Sequence, residues 1–486
     1  VPGLDDVLSG GLPRRRIYLV EGDPGVGKTT LGLQFLLEGV RRKEKSLYIA
    51  FSETKEEILA VARSHDWDME EIHIFGVSAI EEQMKANTGN TFFHPSEVEL
   101  HKTTQVLMEQ IEQLSPDRIV FDSLSEMRLM AETPLRYRRQ MLSLKQYLAG
   151  RACTVLFLDD LTPDSTDLQV RSIAHGVITL LKSSPQYGIS RRSLNVEKIR
   201  GVRFREGYHD FSIQKGGLVA FPRLVAAEHR KDFKRGCAPS GLEAMDNLLG
   251  GGLDRGTSSI FMGPPGTGKS TLALCYACAA AGRGERVGMF IFDETVGTLV
   301  ARGTALGMNV EPLIDSGQIK VRQVDPAQIS PGELTYLIRR SVEDDETRMV
   351  VIDSINGYLN AMPDERFLSL QLHELLTFLN QQGVISILVL AQQGLIGALR
   401  SVVEITYLAD CIVLFRFFET KGEMKQAVSV LKKRSGDHER TIRELKIGAN
   451  GLQVGTPLRA FHGILTGVPI FEGGDEQTLD DGLGFP

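Results

Sequence analysis

The chain has 486 residues, of which 42% are apolar and 24% charged, a composition that is typical of globular proteins and excludes a disordered chain. Its formal net charge of −7 argues against nucleic acid as a partner, and its 5 cysteines, an odd number, favour a reducing, cytoplasmic compartment. No apolar run approaches the roughly 20 residues that cross a bilayer, so a membrane is not expected as a partner either.

The first half of the chain predicts a parallel sheet with crossover helices. Short runs rich in Val and Ile alternate with longer segments of helical spacing, which is the pattern of buried parallel strands. The predicted strands are residues 17–20, 47–51, 119–122, 154–158 and 177–181.

The pattern GxxxxGK[ST] follows the first of these strands and occurs again in the second half. Each copy lies between a predicted strand and a predicted helix, the context of a phosphate-binding loop. We expect Lys28 and Lys269 to contact the β- and γ-phosphates of ATP, and Thr29 and Ser270 to bind Mg²⁺. The predicted nucleotide-binding residues are Gly22, Gly25, Val26, Gly27, Lys28, Thr29 and Thr30, and Gly263, Gly266, Thr267, Gly268, Lys269, Ser270 and Thr271.

The second motif belongs to an internal repeat that covers nearly the whole chain. Residues 51–54 return as residues 292–295, and residues 119–123 return as residues 350–354. The predicted strands of the second repeat are residues 259–262, 287–292, 349–353, 385–390 and 412–415. We therefore predict two tandem P-loop domains of RecA-like α/β fold, each a parallel sheet flanked by helices. Their predicted extents are residues 1–230 and 231–462, with a boundary inside 228–239 and a C-terminal tail of residues 463–486.

Acidic residues follow two strands of each repeat. Asp122 and Asp353 end apolar strands and suit the Walker B role of holding Mg²⁺ through its water shell, with a helix cap as the alternative. Glu53 and Glu294 follow the second strand, where a carboxylate can face the attacking oxygen as a general base. A surface carboxylate without a role is the alternative for both.

Basic pairs mark the far part of each repeat. Lys198 and Arg200, like Lys432 and Arg434, stand two residues apart and so share one face of a predicted strand. Solvated charge on an edge strand is one interpretation. In a ring of subunits, such cations can instead reach the γ-phosphate bound by a neighbour.

The doubled P-loop domains, with residues 292–295, 407–410, 421–424 and 432–438, resemble the KaiC family of circadian-clock ATPases and autokinases, and most of all its homologues outside cyanobacteria. The resemblance implies a two-tiered homohexamer with ATP bound between subunits in both tiers. It also implies slow hydrolysis in the first tier and autokinase chemistry in the second.

The family's paired catalytic glutamates fall on Ser52 and Glu53 in the first repeat and on Asp293 and Glu294 in the second. Both pairs depart from Glu-Glu. The resemblance leaves Glu53 to orient water. Asp293, one methylene shorter than Glu, keeps the charge needed to accept a hydroxyl proton.

The family's trans-acting Lys, Arg and His fall on Lys432, Arg434 and His438 in the second repeat. In the first repeat they fall on Lys198 and Arg200, with Phe204 at the histidine position.

The family's phosphoacceptors fall on Thr406 and Tyr407. We expect only Thr406 to be phosphorylated, because the phenolic oxygen of Tyr407 stands several ångströms farther from its backbone. Packing at the entry to a strand is the alternative for both. Gln392, at the end of a predicted strand, is either a sensor of the γ-phosphate or a plain amide.

Two other functions share this fold. A nucleotide-gated hexameric scaffold with little chemistry would fit the altered catalytic pairs. A RecA- or DnaB-like DNA motor has the same fold and the same ring arrangement, so the fold alone cannot distinguish it from a KaiC-like ATPase. The acidic charge balance weighs against such a motor. The tail, rich in Gly and acidic residues, is expected to fray or to bind a regulatory protein.

Overall fold

A nine-stranded sheet forms the centre of each of two units, residues Val1–Arg223 and Leu224–Pro486, in a computed structural model of the chain. Of the proposed tail, the structure describes only residues 463–464 and 470–471. The binding of a regulatory protein by the tail stays a prediction. The structure describes residues 1–77, 95–161, 168–185, 187–360, 367–392, 406–420, 422–448, 451–459, 461–464 and 470–471.

The first sheet runs in the order β3-β2-β4-β5-β1-β6-β7-β8-β9. The strands from β3 to β6 in this order are parallel, and β7, β8 and β9 continue the sheet antiparallel. The strands are β1 (Ile17–Gly22), β2 (Ser46–Ala50), β3 (Ile72–Gly76), β4 (Arg118–Asp122), β5 (Thr154–Asp160), β6 (Gly176–Ser183), β7 (Arg191–Ile199), β8 (Tyr208–Gln214) and β9 (Gly217–Phe221).

The second sheet has the same topology, in the order β14-β13-β15-β16-β12-β17-β18-β19-β20. Its strands are β12 (Ser258–Gly263), β13 (Val287–Ile291), β14 (Ile319–Gln323), β15 (Met349–Asp353), β16 (Ile385–Ala391), β17 (Cys411–Thr420), β18 (Glu423–Lys433), β19 (Ile442–Gly448) and β20 (Gly451–Pro457). Two short ribbons, β10 (Cys237–Ala238) with β11 (Leu253–Asp254) and β21 (Phe461–His462) with β22 (Ile470–Phe471), complete the described strands of this unit.

Helices cover both faces of each sheet, and this explains the nearly continuous apolar runs of the central strands. In β1, Tyr18 and Val20 pack into one hydrophobic cluster, whereas Ile17 and Leu19 pack into another. The helices of the first unit are Leu4–Val7, Lys28–Arg41, Lys55–Ser64, Pro95–Leu114, Leu124–Ala131, Pro134–Ala149 and Leu168–Ile173. Those of the second are the 3₁₀ turn Ala226–His229 and the α-helices Glu243–Leu248, Lys269–Gly282, Val296–Ala305, Val310–Asp315, Pro331–Glu343, Ile355–Asn360 and Leu368–Gln381.

None of the helices in the described ranges is both long enough and apolar enough to cross a membrane.

The predicted RecA-like α/β class is confirmed, and all ten predicted strands are present. The sheets are mixed rather than wholly parallel, because each continues into three antiparallel strands. The first of these, β7 or β18, is the strand predicted to carry the basic pair, and the other two were missed. The edge strands β3 and β14 were also missed.

Candidate nucleotide sites at the two P-loops

Each P-loop bends from the carboxyl end of a central strand into a helix through a glycine in the left-handed region. Gly27 has a φ of 118°, and Gly268 has a φ of 94°. A Cβ atom would lie 2.7 Å from Ile213 Cδ1 at Gly27 and 2.6 Å from Ile447 Cδ1 at Gly268. The left-handed conformation therefore favours glycine immediately before the two P-loop lysines, and a side chain there would also displace an isoleucine.

The first site brings Thr29 and Asp122 together, as the sequence predicted. The Thr29 hydroxyl donates to Asp122 Oδ2 at 2.7 Å, and the buried Tyr48 hydroxyl donates to the same oxygen at 2.5 Å. Burial raises the pKa of Asp122, against the effect of these two hydrogen bonds. Tyr48 was missed because a tyrosine in a buried strand normally indicates core packing.

The Thr29 and Asp122 oxygens are the hard donors that Mg²⁺ prefers. Within the described ranges, no group of three or more His, Cys, Asp or Glu side chains could hold a metal ion alone. In P-loop proteins, phosphate oxygens and water complete the ligands of Mg²⁺.

Glu53 lies half-buried close to Asp122. Burial, with the negative charges of Asp122 and Glu57, raises its pKa. Its Oε2 atom is buried without a hydrogen-bond partner. An unpaired carboxylate of raised pKa next to a phosphate loop has the properties of a general base.

The second site is a cavity of about 430 Å³ that gathers the residues predicted from three separate motifs. Lys269 donates to the Pro264 carbonyl at 2.6 Å, and burial lowers its pKa to about 8. Burial and the nearby Glu294 and Asp293 charges raise the pKa of Asp353 to about 6, against a hydrogen bond from Ser270. The cavity is lined by Pro265, Gly266, Gly268, Lys269, Ser270, Thr271, Asp293, Glu294, Arg302, Asp353, Ser354, Val389, Ala391 and Ile447.

The two acids of the second site differ in their partners. Glu294 Oε1 accepts a hydrogen bond from Arg302 at 2.6 Å, so its charge is already paired. Asp293 is exposed and accepts a hydrogen bond from the Ser354 hydroxyl. Arg302 was missed because its pairing with Glu294 depends on how the helix Val296–Ala305 leaves the strand end that carries Glu294.

Gln392 follows β16 at the P-loop. Its backbone N–H donates to the Gly263 carbonyl at 3.0 Å. Its side chain is buried, and Oε1 has no hydrogen-bond partner. A buried amide oxygen without a partner is costly, and this supports the interpretation of Gln392 as a sensor of a bound group.

The basic pairs lie at the other end of the sheets from the P-loops of their own units. Lys198 is opposite Val177, which is opposite Leu19, three residues before the end of β1. Lys432 is opposite Ile412, which is opposite Ile260, three residues before the end of β12. Three residues of strand span about 10 Å, and two strand spacings add a similar distance sideways.

The basic side chains bind backbone carbonyls and acids at that end. Lys198 donates to the Arg171 carbonyl, and Arg200 donates to the Ser172 carbonyl at 3.0 Å. Lys432 donates to the Ala409 carbonyl at 2.7 Å, and Arg434 to Asp410 Oδ1 at 3.1 Å. Both β7 and β18 have partners on each side, so the interpretation as edge strands is wrong. Arg200 and Arg434 lie just beyond the strand ends.

Tyr407, which follows Thr406 in the chain, lies beside the second basic pair. Arg434 donates to the Tyr407 carbonyl at 3.1 Å. The Tyr407 side chain is 59% exposed, which contradicts packing at a strand entry, whereas Thr406 is half-buried. His438 is half-buried in the loop after β18, and Phe204 packs against the core of the first unit.

Comparison with known proteins gave matches to both repeats of the chain. A family model described as "ATPase: KaiC" matches residues 1–225 and 238–459. The circadian clock protein KaiC3 of Synechocystis sp. is 25% identical over 99% of this chain and 96% of its own length. The circadian clock oscillator proteins KaiC of Picosynechococcus sp. and Synechococcus elongatus are each 24% identical over 98% of this chain, and over 93% and 92% of their own lengths.

Proposed function

The chain belongs to the KaiC family of ATPases, with two tandem domains, and we propose that it forms a double-ring homohexamer that autophosphorylates. In this proposal both repeats bind ATP, the first hydrolyses it slowly, and the second transfers phosphate to Thr406. The observation that carries the proposal is the separation of each basic pair from its own P-loop.

That separation supports action between subunits. A lysine side chain extends about 6 Å from its Cα atom, which is less than the distance from Lys198 or Lys432 to the loop at the carboxyl end of its sheet. These cations therefore serve the phosphate of a neighbouring chain, as an arginine finger does. A closed ring gives every site such a neighbour.

Hydrolysis in the first repeat rests on Glu53. Its unpartnered Oε2 orients and deprotonates water, while Lys28 holds the phosphates and Lys198 and Arg200 of the neighbour neutralise developing charge. Ser52 supplies no second carboxylate, so the reaction is slow. Mg²⁺, held by Thr29 with Asp122 and by Ser270 with Asp353, would supply further positive charge to the phosphate oxygens.

Phosphorylation in the second repeat rests on Asp293. Glu294 is occupied by Arg302, so Asp293 of one chain accepts the hydroxyl proton of Thr406 of its neighbour. A bond forms between the Thr406 oxygen and the γ-phosphorus, and the bond to the β,γ-bridging oxygen breaks, so that ADP leaves. Arg434 donates to the carbonyl of Tyr407, the residue after Thr406, and Lys432 donates to that of Ala409, so both cations contribute positive charge to the phosphate that Thr406 accepts.

One observation favours a nucleotide-gated scaffold as the second candidate. The ion pair with Arg302 makes Glu294 unavailable as a base, and the remaining acid, Asp293, has the shorter side chain. In a scaffold, ATP would hold the ring together without phosphate transfer. All 5 cysteines are free thiols, which fits the proposed cytoplasmic setting of either function.

Mass spectrometry of chains incubated with Mg-ATP tests the proposal. We expect phosphate on Thr406 and none on Tyr407, and we expect Asp293→Asn to suppress it while nucleotide still binds. Mixing Asp293→Asn chains with Thr406→Ala chains should restore phosphate on Thr406 of the former, because the active site then lies in the neighbour. No phosphate on wild-type Thr406, with assembly intact, would favour the scaffold.

A further inference from the structure

The P-loop lysine of the first repeat has a carboxylate partner within its own chain. Lys28 Nζ lies 2.8 Å from Asp160 Oδ1, with side chains that are 9% and 37% exposed. The same ammonium donates to the carbonyls of Gly22 at 2.7 Å and Asp23 at 3.0 Å. These three acceptors match the three protons of the ammonium, so phosphate can bind it only by displacing one of them.

Asp160 is held in position by contacts on its other side. It ends β5 and lies opposite Gly22 of β1. The Ser125 hydroxyl donates to Asp160 Oδ2 at 2.9 Å. Burial would raise the pKa of Asp160, but the hydrogen bond and charge of Lys28, with Ser125 and Arg128, outweigh burial and lower it. The carboxylate is therefore charged and points at the phosphate loop.

The second repeat provides an internal comparison. Gly263 of β12 lies opposite Ala391 of β16, in the same register as Gly22 and Asp160. The second P-loop lysine, Lys269, accordingly has an alanine where the first has a carboxylate. Two sites of one fold thus differ by one charge at the point where a γ-phosphate contacts the lysine.

We propose that Asp160 determines the nucleotide specificity of the first site, as a resident counter-ion that nucleotide phosphates must displace and that disfavours a triphosphate relative to a diphosphate. This inference rests on the proposed binding of nucleotide at the first P-loop. A phosphate oxygen that binds Lys28 lies within about 6 Å of the Asp160 carboxylate. At an effective dielectric constant near 20, the repulsion of unit charges at that distance corresponds to about a hundredfold in affinity.

Equilibrium dialysis measures the affinity of the first site for ATP and for ADP. The full chain carries Lys269→Ala, which prevents nucleotide binding at the second site. Asp160→Asn keeps the hydrogen bond to Ser125 and removes the charge. We expect ATP to bind at least tenfold more tightly, and ADP to gain less, because it lacks the γ-phosphate. Asp6→Asn, a change of the same charge at an exposed position of the helix Leu4–Val7, should change neither affinity.

The reciprocal change provides the second test. In the chain carrying Lys28→Ala, Ala391→Asp should weaken ATP binding at the second site. Unchanged ATP affinity in Asp160→Asn, or equal gains for ATP and ADP, would overturn the inference. Asp160→Ala, which installs the residue of the second repeat, checks the result if Asp160→Asn fails to fold. Failure of the Lys269→Ala chain to bind either nucleotide, with or without Asp160, would contradict the proposed function itself.

Discussion

The second P-loop should bind Mg-nucleotide tightly only between about pH 6 and about pH 8. Its lysine must be protonated to bind phosphate, and burial lowers the pKa of Lys269 from 10.5 to about 8. The carboxylate proposed to hold Mg²⁺ must be ionised, and burial with two nearby acids raises the pKa of Asp353 from 3.8 to about 6. The two titrations bound the window from opposite sides.

The size of each effect follows from the fraction of each group in its binding form. Lys269 loses its proton as pH rises through 8, so at pH 9 about one tenth remains charged, and affinity falls about tenfold relative to pH 7. Asp353 gains a proton as pH falls through 6, so at pH 5 about one tenth is ionised, and affinity for Mg-ATP falls about tenfold.

Binding measured from pH 5 to pH 9 in a Lys28→Ala chain isolates the second site. Omitting Mg²⁺ should abolish the acid limb, because Asp353 acts through the metal ion. Lys269→Arg should abolish the alkaline limb, because a guanidinium stays charged throughout. An affinity that is constant from pH 7 to pH 9, or an alkaline loss that persists in Lys269→Arg, would refute the reasoning.

Two further predictions concern assembly. With saturating Mg-ATP the chain should sediment as a hexamer at micromolar concentration, since Lys198 and Lys432 are proposed to bind the phosphate of a neighbour. A monomer under these conditions contradicts the ring. Lys28→Ala should weaken assembly more than Lys269→Ala, because the first tier is the structural one in the proposed ring. Analytical ultracentrifugation of the two variants compares them, and the reverse order would count against that assignment.

The central strands could be predicted because their burial is visible in the sequence itself. Strands such as β1 and β15 are buried on both faces, so they read as continuous apolar runs. The edge strand β14 could not be predicted in this way. It contains Lys320 and Arg322 and is largely exposed, so no apolar run marks it.

The site residues show the same limit. Lys28 and Thr29 were predictable because one contiguous motif fixes both side chains against the phosphates. Asp160 and Arg302 were not, because their roles depend on which residue lies opposite or one helix away in the folded chain. The signal for Asp160 was nevertheless present: it ends β5 as Asp122 ends β4, but the predicted strand stopped at residue 158.

The two repeats therefore share a backbone but distribute their ion pairs in opposite ways. In the first, the lysine is paired with Asp160 and Glu53 keeps a free oxygen. In the second, Glu294 is paired with Arg302, and the position of Asp160 is an alanine beside Lys269. An ion pair on the lysine opposes phosphate binding, whereas one on the glutamate opposes proton transfer. The first repeat should thus be limited by how it holds ATP, and the second by how it activates the acceptor.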